Sequence, residues 1–466
     1  MNLKTLLAVS ALTAMLSSVP TYAATPASGY CGVTDYEKTV SWSVDAKGVL
    51  TLSGQWTSSS KGSVGYMERY TNAPYGGPWG KDIVKIVFKK GVRSVGAYAF
   101  YGCSKVKEVV FESQYNPIQF NYGAFYGCES LESFTFPDKT DYVSNQMFVK
   151  CRSLKSVKLF PGIKWIPQRF FQECYSLGPE FIVPETCTSI GTQAFELCTS
   201  LKKIVINDAC EDIENLAFRA CYDLADITIG KSVAMFGEGA FFNNARNRDV
   251  VIRDMATYCQ AYFKTSSTEA HSPTSSPTNL RSKLYLGDKN HPIKYLIIPE
   301  GVTTIQSEHP FYYCPDLVSV TLPSTMKTLK GKALYNSGKI WEYIECRSIT
   351  PPTVETADFV SSYAYNTTKL YVPNGSLSAY KKHQYWGKFK NIQEGSGVED
   401  MTNDDVKVYT SNGKIIIDGI SQGLTMDVYT IDGKHVYTGE DTAIDAPARG
   451  IYIVRVAGKT TKLAVN

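Results

Sequence analysis

The sequence predicts a repeat solenoid, a right-handed superhelix that is mostly β with short helical turns, followed by a small β-sandwich. Three observations carry that expectation. A Phe recurs at Phe100, Phe125, Phe148, Phe171, Phe195 and Phe218, at steps of 25, 23, 23, 24 and 23 residues. A Cys stands three residues after each, at Cys103, Cys128, Cys151, Cys174, Cys198 and Cys221. Between one Phe and the next the apolar positions keep one spacing. From Phe195 they run Cys198, Leu201, Ile204, Ile206, Cys210, Ile213 and Ala217, and the next unit repeats them as Cys221, Leu224, Ile227, Ile229, Val233, Phe236 and Ala240. A unit this short cannot cover its own apolar side, so the coil before and the coil after must do it.

The elements follow from the columns. Segments such as Leu154-Lys155-Ser156-Val157-Lys158-Leu159 alternate with period two, which predicts a short strand with one face inward. A Pro or Gly stops it, as at Pro161, Pro184, Gly230 and Pro323. The return path, as in Thr188-Ser189-Ile190-Gly191-Thr192-Gln193-Ala194, is too rich in Gly, Ser and Thr for a long helix, which leaves one-turn helices near each Ala-Phe. A period in this range with Leu-x-x-Val-x-Leu strands is the leucine-rich-repeat class. Phe241 continues the series without its Cys, and Phe311 with Cys314 resumes it 70 residues later, about three periods, so part of the gap is expected to hold disguised repeats.

Outside the repeats the chain changes character. Residues 1–23, with Lys4, the apolar run Leu6 to Leu16 and Thr21-Tyr22-Ala23, read as a signal peptide, which implies export. Residues 24–82 form the N-terminal cap and 83–392 the solenoid. The Ser, Thr and Pro of 264–282 predict a projecting loop. Residues 393–402 read as a flexible linker, and 403–466 as six or seven short strands with Gly punctuation, Asp432-Gly433 being a hairpin signal.

Composition excludes several classes. The 466 residues carry a net charge of +4 with 20 % charged residues, too weak a field to advertise nucleic acid. A hydrophobic fraction of 43 % excludes a disordered polymer, and beyond the leader no apolar run is long enough to cross a bilayer.

Two stretches identify relatives. Val92-Arg93-Ser94-Val95-Gly96-Ala97-Tyr98-Ala99-Phe100-Tyr101-Gly102-Cys103-Ser104 and Ile298-Pro299-Glu300-Gly301-Val302-Thr303-Thr304-Ile305 closely resemble the BspA-like leucine-rich repeat. The resemblance covers about residues 30 to 392, including the leading Trp42-Ser43-Val44-Asp45 and Gly48 to Gly54 and the trailing Leu370-Tyr371-Val372-Pro373. It implies a secreted or surface-exposed binding protein, adhesive toward host proteins or other cells, with no catalytic residues to carry over. Val428 to Lys434, Gly450 to Val456 and Lys462 to Val465 resemble the C-terminal sorting domain of type IX secretion. This copy is short and lacks the family's proline-bearing first strand, so a plain accessory sandwich stays open.

The sequence carries no motif for chemistry. The Cys column reads as buried small hydrophobes, kept reduced because stacked Cβ vectors run parallel. Cys187 and Cys210 fill a second apolar column. No Cys-x-x-Cys, His-Glu-x-x-His or Gly-x-Ser-x-Gly occurs, so neither catalysis nor a cofactor or metal is expected. The expected site is the outward face of the strands, with rows containing Ser133 and Thr135, Asp226 and Thr228, Ser319 and Thr321, and a basic middle of Lys155, Lys158, Lys202 and Lys203. Its expected partner is a host or bacterial surface protein. The alternative is a glycan for nutrient capture, stacked on Tyr66, Tyr70, Tyr75 and Trp79. A purely structural surface-layer component is a third reading.

Overall fold

A computed structural model describes residues 27–72, 75–112, 117–264, 275–290, 292–306, 310–395, 407–411, 414–418, 425–431, 434–441, 443–456 and 459–465. The expected signal peptide, most of the expected linker and the Asp432-Gly433 turn lie outside them. The solenoid has about twelve turns, mostly strand. Each coil contributes one longer strand to a parallel stack, such as Lys203–Val205 between Glu180–Ile182 and Asp226–Ile229. Alternation turns Ile204 and Ile227 inward, both fully buried. The whole sequence-derived column from Cys198 to Ala217 is buried in one continuous core from the cap to Phe389.

The return path differs from expectation. Where one-turn helices were expected near each Ala-Phe, the chain makes turns, and before them lies a second parallel stack of mostly two-residue strands, including Trp165–Ile166, Ser189–Ile190 and Asp212–Ile213. The reason is where the amides go. Phe171, Phe195 and Phe218 each donate their backbone N–H to the next coil, to the carbonyls of Ala194, Ala217 and Ala240 at 2.8 Å, while neighbouring amides such as Ala194 and Glu196 close only single i→i−3 turns, so no run of helical bonds builds up. The residues two before and two after each Phe are also left-handed, as at Gln193 (φ 58°) and Leu197 (φ 64°), which breaks a helix at both sides.

The Cys column is more than a row of small hydrophobes. The Sγ of Cys151, Cys174, Cys198 and Cys221 donate to the carbonyls of Phe125, Phe148, Phe171 and Phe195 in the preceding coil at 3.0 to 3.2 Å. Where the Cys is missing after Phe241, Asn244 donates its amide to Phe218 at 2.9 Å, and Asn279 does the same for Phe241 at 3.2 Å. The column therefore selects a small buried donor. Asn244→Leu is expected to cost about 1–3 kcal/mol by orphaning a carbonyl, and Asn244→Cys to recover most of it. Equal denaturation midpoints for the two variants would remove the donor role.

Of the expected projecting loop, residues 265–274 lie outside the described residues, and the part around Asn279 is packed inside. Ser275, Ser276 and Thr278 are buried, and the hydroxyl of Thr278 donates to Pro310 while its carbonyl accepts from Tyr313. This stretch is the turn of a disguised coil, seated between Phe241 and Phe311. Buried Ser and Thr are tolerated because each hydroxyl finds a backbone partner. Arg248, also buried, holds it from below through the Pro277 carbonyl at 2.8 Å and Asn279 Oδ1 at 2.6 Å.

At the N-terminus, Ala27–Tyr30, Val40–Val44 and Val49–Gly54 form an antiparallel cap whose last strand pairs parallel with the first coil strand, Lys85–Phe88. Gly54 and Gly91 let the two backbones meet, since a Cβ on Gly54 would lie 1.9 Å from the Gly91 carbonyl oxygen. At the other end the last solenoid strand, Asn391–Glu394, takes up the start of the expected linker. Seven further strands form two sheets, Lys407–Ser411 with Lys414–Asp418 and Ala443–Asp445, and Met426–Thr430 with His435–Gly439, Gly450–Val456 and Lys459–Val465. Their core, with Ile415, Val428 and Val454, is separate from that of the solenoid.

Candidate binding face

The outward side chains of the longer strands form two rows along the solenoid axis. In the first, opposite charges face each other across adjacent coils: Lys85 with Glu108 at 2.9 Å and Lys203 with Glu180 at 2.8 Å. Lys289, in the loop after Ser282–Leu286, reaches back to bridge Asp226 and Asp249 at 2.8 and 2.9 Å. Beside the row Lys155 pairs with Glu132 at 2.9 Å, and this hydrogen bond and charge hold the Glu132 carboxyl below its ordinary value.

The expected basic middle is therefore half neutralised. Lys155 and Lys203 are committed to Glu132 and Glu180, because the 23-residue step sets residues of one column on neighbouring strands, within ion-pair reach. Lys158 and Lys202 are exposed, and among the described residues neither joins an ion pair. Asp226 belongs to the Lys289 bridge. Thr228 is not an exposed contact: it is 8 % accessible, standing between Val205 and Val251 in its row. Ser319, flanked by Tyr295 and Tyr343, and Thr321 are likewise buried. Ser133 and Thr135 remain exposed as expected.

The second row adds an apolar patch to the face. Thr135 and Lys158 lead, one coil on, to Ile182 and Val205. Ile182 is 64 % exposed, in a row that holds Val87 and Val110 in the first coils and Thr135 and Lys158 in the two coils before it. The return from Thr and Lys to an aliphatic residue was the available signal. The centre of the face is thus an apolar pair rimmed by Lys158, Lys202 and the Lys203–Glu180 ion pair.

The glycan-stacking residues do not make one site. Trp79 is buried, stacked on Phe100 at 5.1 Å and met edge-on by Tyr70 at 5.8 Å, which closes the first coil. Tyr66 lies under the Arg93 guanidinium, and Tyr75 joins Tyr98 and Tyr101 at 4.9 and 5.1 Å. Two shallow depressions of about 310 and 550 Å³ are walled largely by polar side chains. The described residues bring no three His, Cys, Asp or Glu together as a metal site. All twelve cysteines are free and buried, and burial pushes the ladder thiols upward, Cys103 and Cys221 to about 12. Such thiols are poor nucleophiles.

Strand, turn and second strand stacked coil on coil define a leucine-rich-repeat solenoid with one flat, mixed-polarity face. The chain belongs to the BspA type leucine rich repeat family: the region, in six copies, matches residues 79–181, 166–290 and 288–382. None of the curated proteins matches the chain. Among solved structures it is similar to a leucine-rich repeat protein from Bacteroides ovatus ATCC 8483, with 15% identity over 77% of this chain and 98% of that one and a TM-score of 0.41. A leucine rich cell surface protein from Faecalibacterium prausnitzii A2-165 is similar at 17% identity over 68% and 95%, with a TM-score of 0.23. The pneumococcal vaccine antigen PcpA is similar at 13% identity over 79% and 100%, with a TM-score of 0.30. No helix among the described residues is long and apolar enough to cross a membrane.

Proposed function

We propose that the protein is an exported, cell-surface adhesin that binds a protein on host matrix or on another cell through the outward strand face, without catalysis. The observation that carries this reading is exposed Ile182 beside half-buried Val205 on the outward strand face, with Lys158 and Lys202 exposed nearby. An apolar centre with a charged rim is the anatomy of a protein interface. Family membership and the leader-like residues 1–23 support the location. The resemblance of the C-terminal strands to a type IX sorting domain supports a role for that sandwich in delivery to the surface.

The test uses residues 24–466 against immobilised collagen, laminin and fibronectin and against intact epithelial and bacterial cells. At least one surface is expected to capture the protein. Ile182→Glu is expected to weaken capture by at least tenfold, and Lys158→Glu with Lys202→Glu to slow association and remove its salt dependence. Capture unchanged by all three substitutions would sink the assignment of this face.

A further inference from the structure

The short strands of the return path make a second face, and its outward column breaks its own rule. From one coil to the next it runs Tyr142, Trp165, Ser189, Asp212, Met235 and Tyr262. Strand pairing sets the register from Trp165 onward, and Tyr142 stands one 23-residue period before. Tyr142, Trp165, Met235 and Tyr262 are 42, 46, 38 and 56 % exposed. Folding does not ask for them, because the equivalent short strands farther along pair Thr304, Thr328 and Thr353 in one outward row. Of the six tryptophans, Trp42, Trp79, Trp341 and Trp386 are buried, and Trp56 is half-buried under the Arg93 guanidinium. Trp165 alone is exposed.

The order along the column selects the partner. A protein hot spot has its apolar residues at the centre and its polar residues at the rim. Here the arrangement is inverted. Tyr142 and Trp165 stand at one end, Met235 and Tyr262 at the other, with Ser189 and Asp212 between them and Glu211 exposed beside. Five coil steps of about 4.8 Å make the column about 24 Å long. A long ligand fits it that has flat C–H faces to lie on aromatic rings and hydroxyls to meet Ser189, Glu211 and Asp212. Glu211 and Asp212 at the middle of the column, against the exposed cation Lys164 beside Trp165, favour a neutral ligand over a polyanion. We infer that this column binds a neutral polysaccharide laid along the solenoid axis, at a site separate from the protein-binding face.

The experiment is affinity electrophoresis of residues 24–466 in gels containing laminarin, soluble mannan, xyloglucan or, as the polyanion, alginate, with tryptophan emission followed in solution. At least one neutral polymer is expected to retard the protein and shift its emission. Trp165→Ala is expected to weaken binding about tenfold and to abolish the emission shift, with an unchanged melting temperature since the ring is not part of the core. Tyr262→Ala is expected to weaken it at the far end, while Lys158→Glu with Lys202→Glu leaves it intact. Retardation by none of the three neutral polymers, preference for alginate, or full binding by Trp165→Ala would overturn the inference. So would loss of matrix-protein capture in Trp165→Ala, which would give this face to a protein instead.

Discussion

Between pH 9 and pH 11 the solenoid is expected to unfold. Burial pushes the thiols above their ordinary value of 9.0, to about 11 for Cys187 and Cys346 and about 12 for Cys31, Cys103, Cys210 and Cys221, and well upward for Cys128, Cys151, Cys174 and Cys198. Above pH 9 the unfolded chain gives up these protons and the folded one keeps them. The unfolded state then binds fewer protons, so stability is complete below pH 9 and falls as pH rises through the folded values. One such thiol costs at most about 1.4 kcal/mol per pH unit in this window, and ten of them up to about 14, comparable to the whole stability of an ordinary domain, about 5–15 kcal/mol. Arg248 works the other way: burial lowers its guanidinium to about 9, so it adds stability as pH rises. One group cannot offset ten.

Melts in reducing buffer are expected to show the midpoint falling by on the order of 10 °C or more from pH 8 to pH 10. The pair Cys198→Ala and Cys221→Ala should flatten the decline by removing two of the protons involved. A midpoint level across that range would mean the column thiols do not resist ionisation as their burial demands.

Phe195→Ala is expected to break the molecule into two cooperative parts. Phe195 is fully buried, with its ring 5.3 Å from Phe171, 5.1 Å from Phe218 and 4.9 Å from Phe181. Truncation should cost about 3–5 kcal/mol. In a stack where each coil touches only its neighbours, that loss falls on the two interfaces that join the halves. Denaturant titration should then show two transitions where the parent shows fewer, and hydrogen exchange should find the early one on one side of residue 195. A single transition, merely displaced, would show that coupling does not run through the Phe stack.

Much of this was legible in the residues. The period placed Leu201, Ile204, Ile206 and Ile213 inside and Ser133 and Thr135 outside, since alternation and a fixed step leave no freedom about which face a column takes. The thiol donor role was not legible, because Cys reads equally well as a small hydrophobe; Asn244 in the same column was the clue. Nor was the fate of 275–282, where composition argued for solvent and hydrogen bonding to Pro310 and Tyr313 put it inside. On the outward strand face, Lys155 and Lys203 look like free cations along their own strands and find Glu132 and Glu180 only across the ladder.

Periodicity alone thus determined the repeat, the core columns and the class of face, because a short coil has only one way to hide its apolar side. The three-dimensional stack decided which charges cancel, which hydroxyls are swallowed, and where Ile182 and Trp165 stay open to solvent. Those outcomes depend on the neighbour one coil away, about 23 residues distant in the chain but adjacent across a strand ladder.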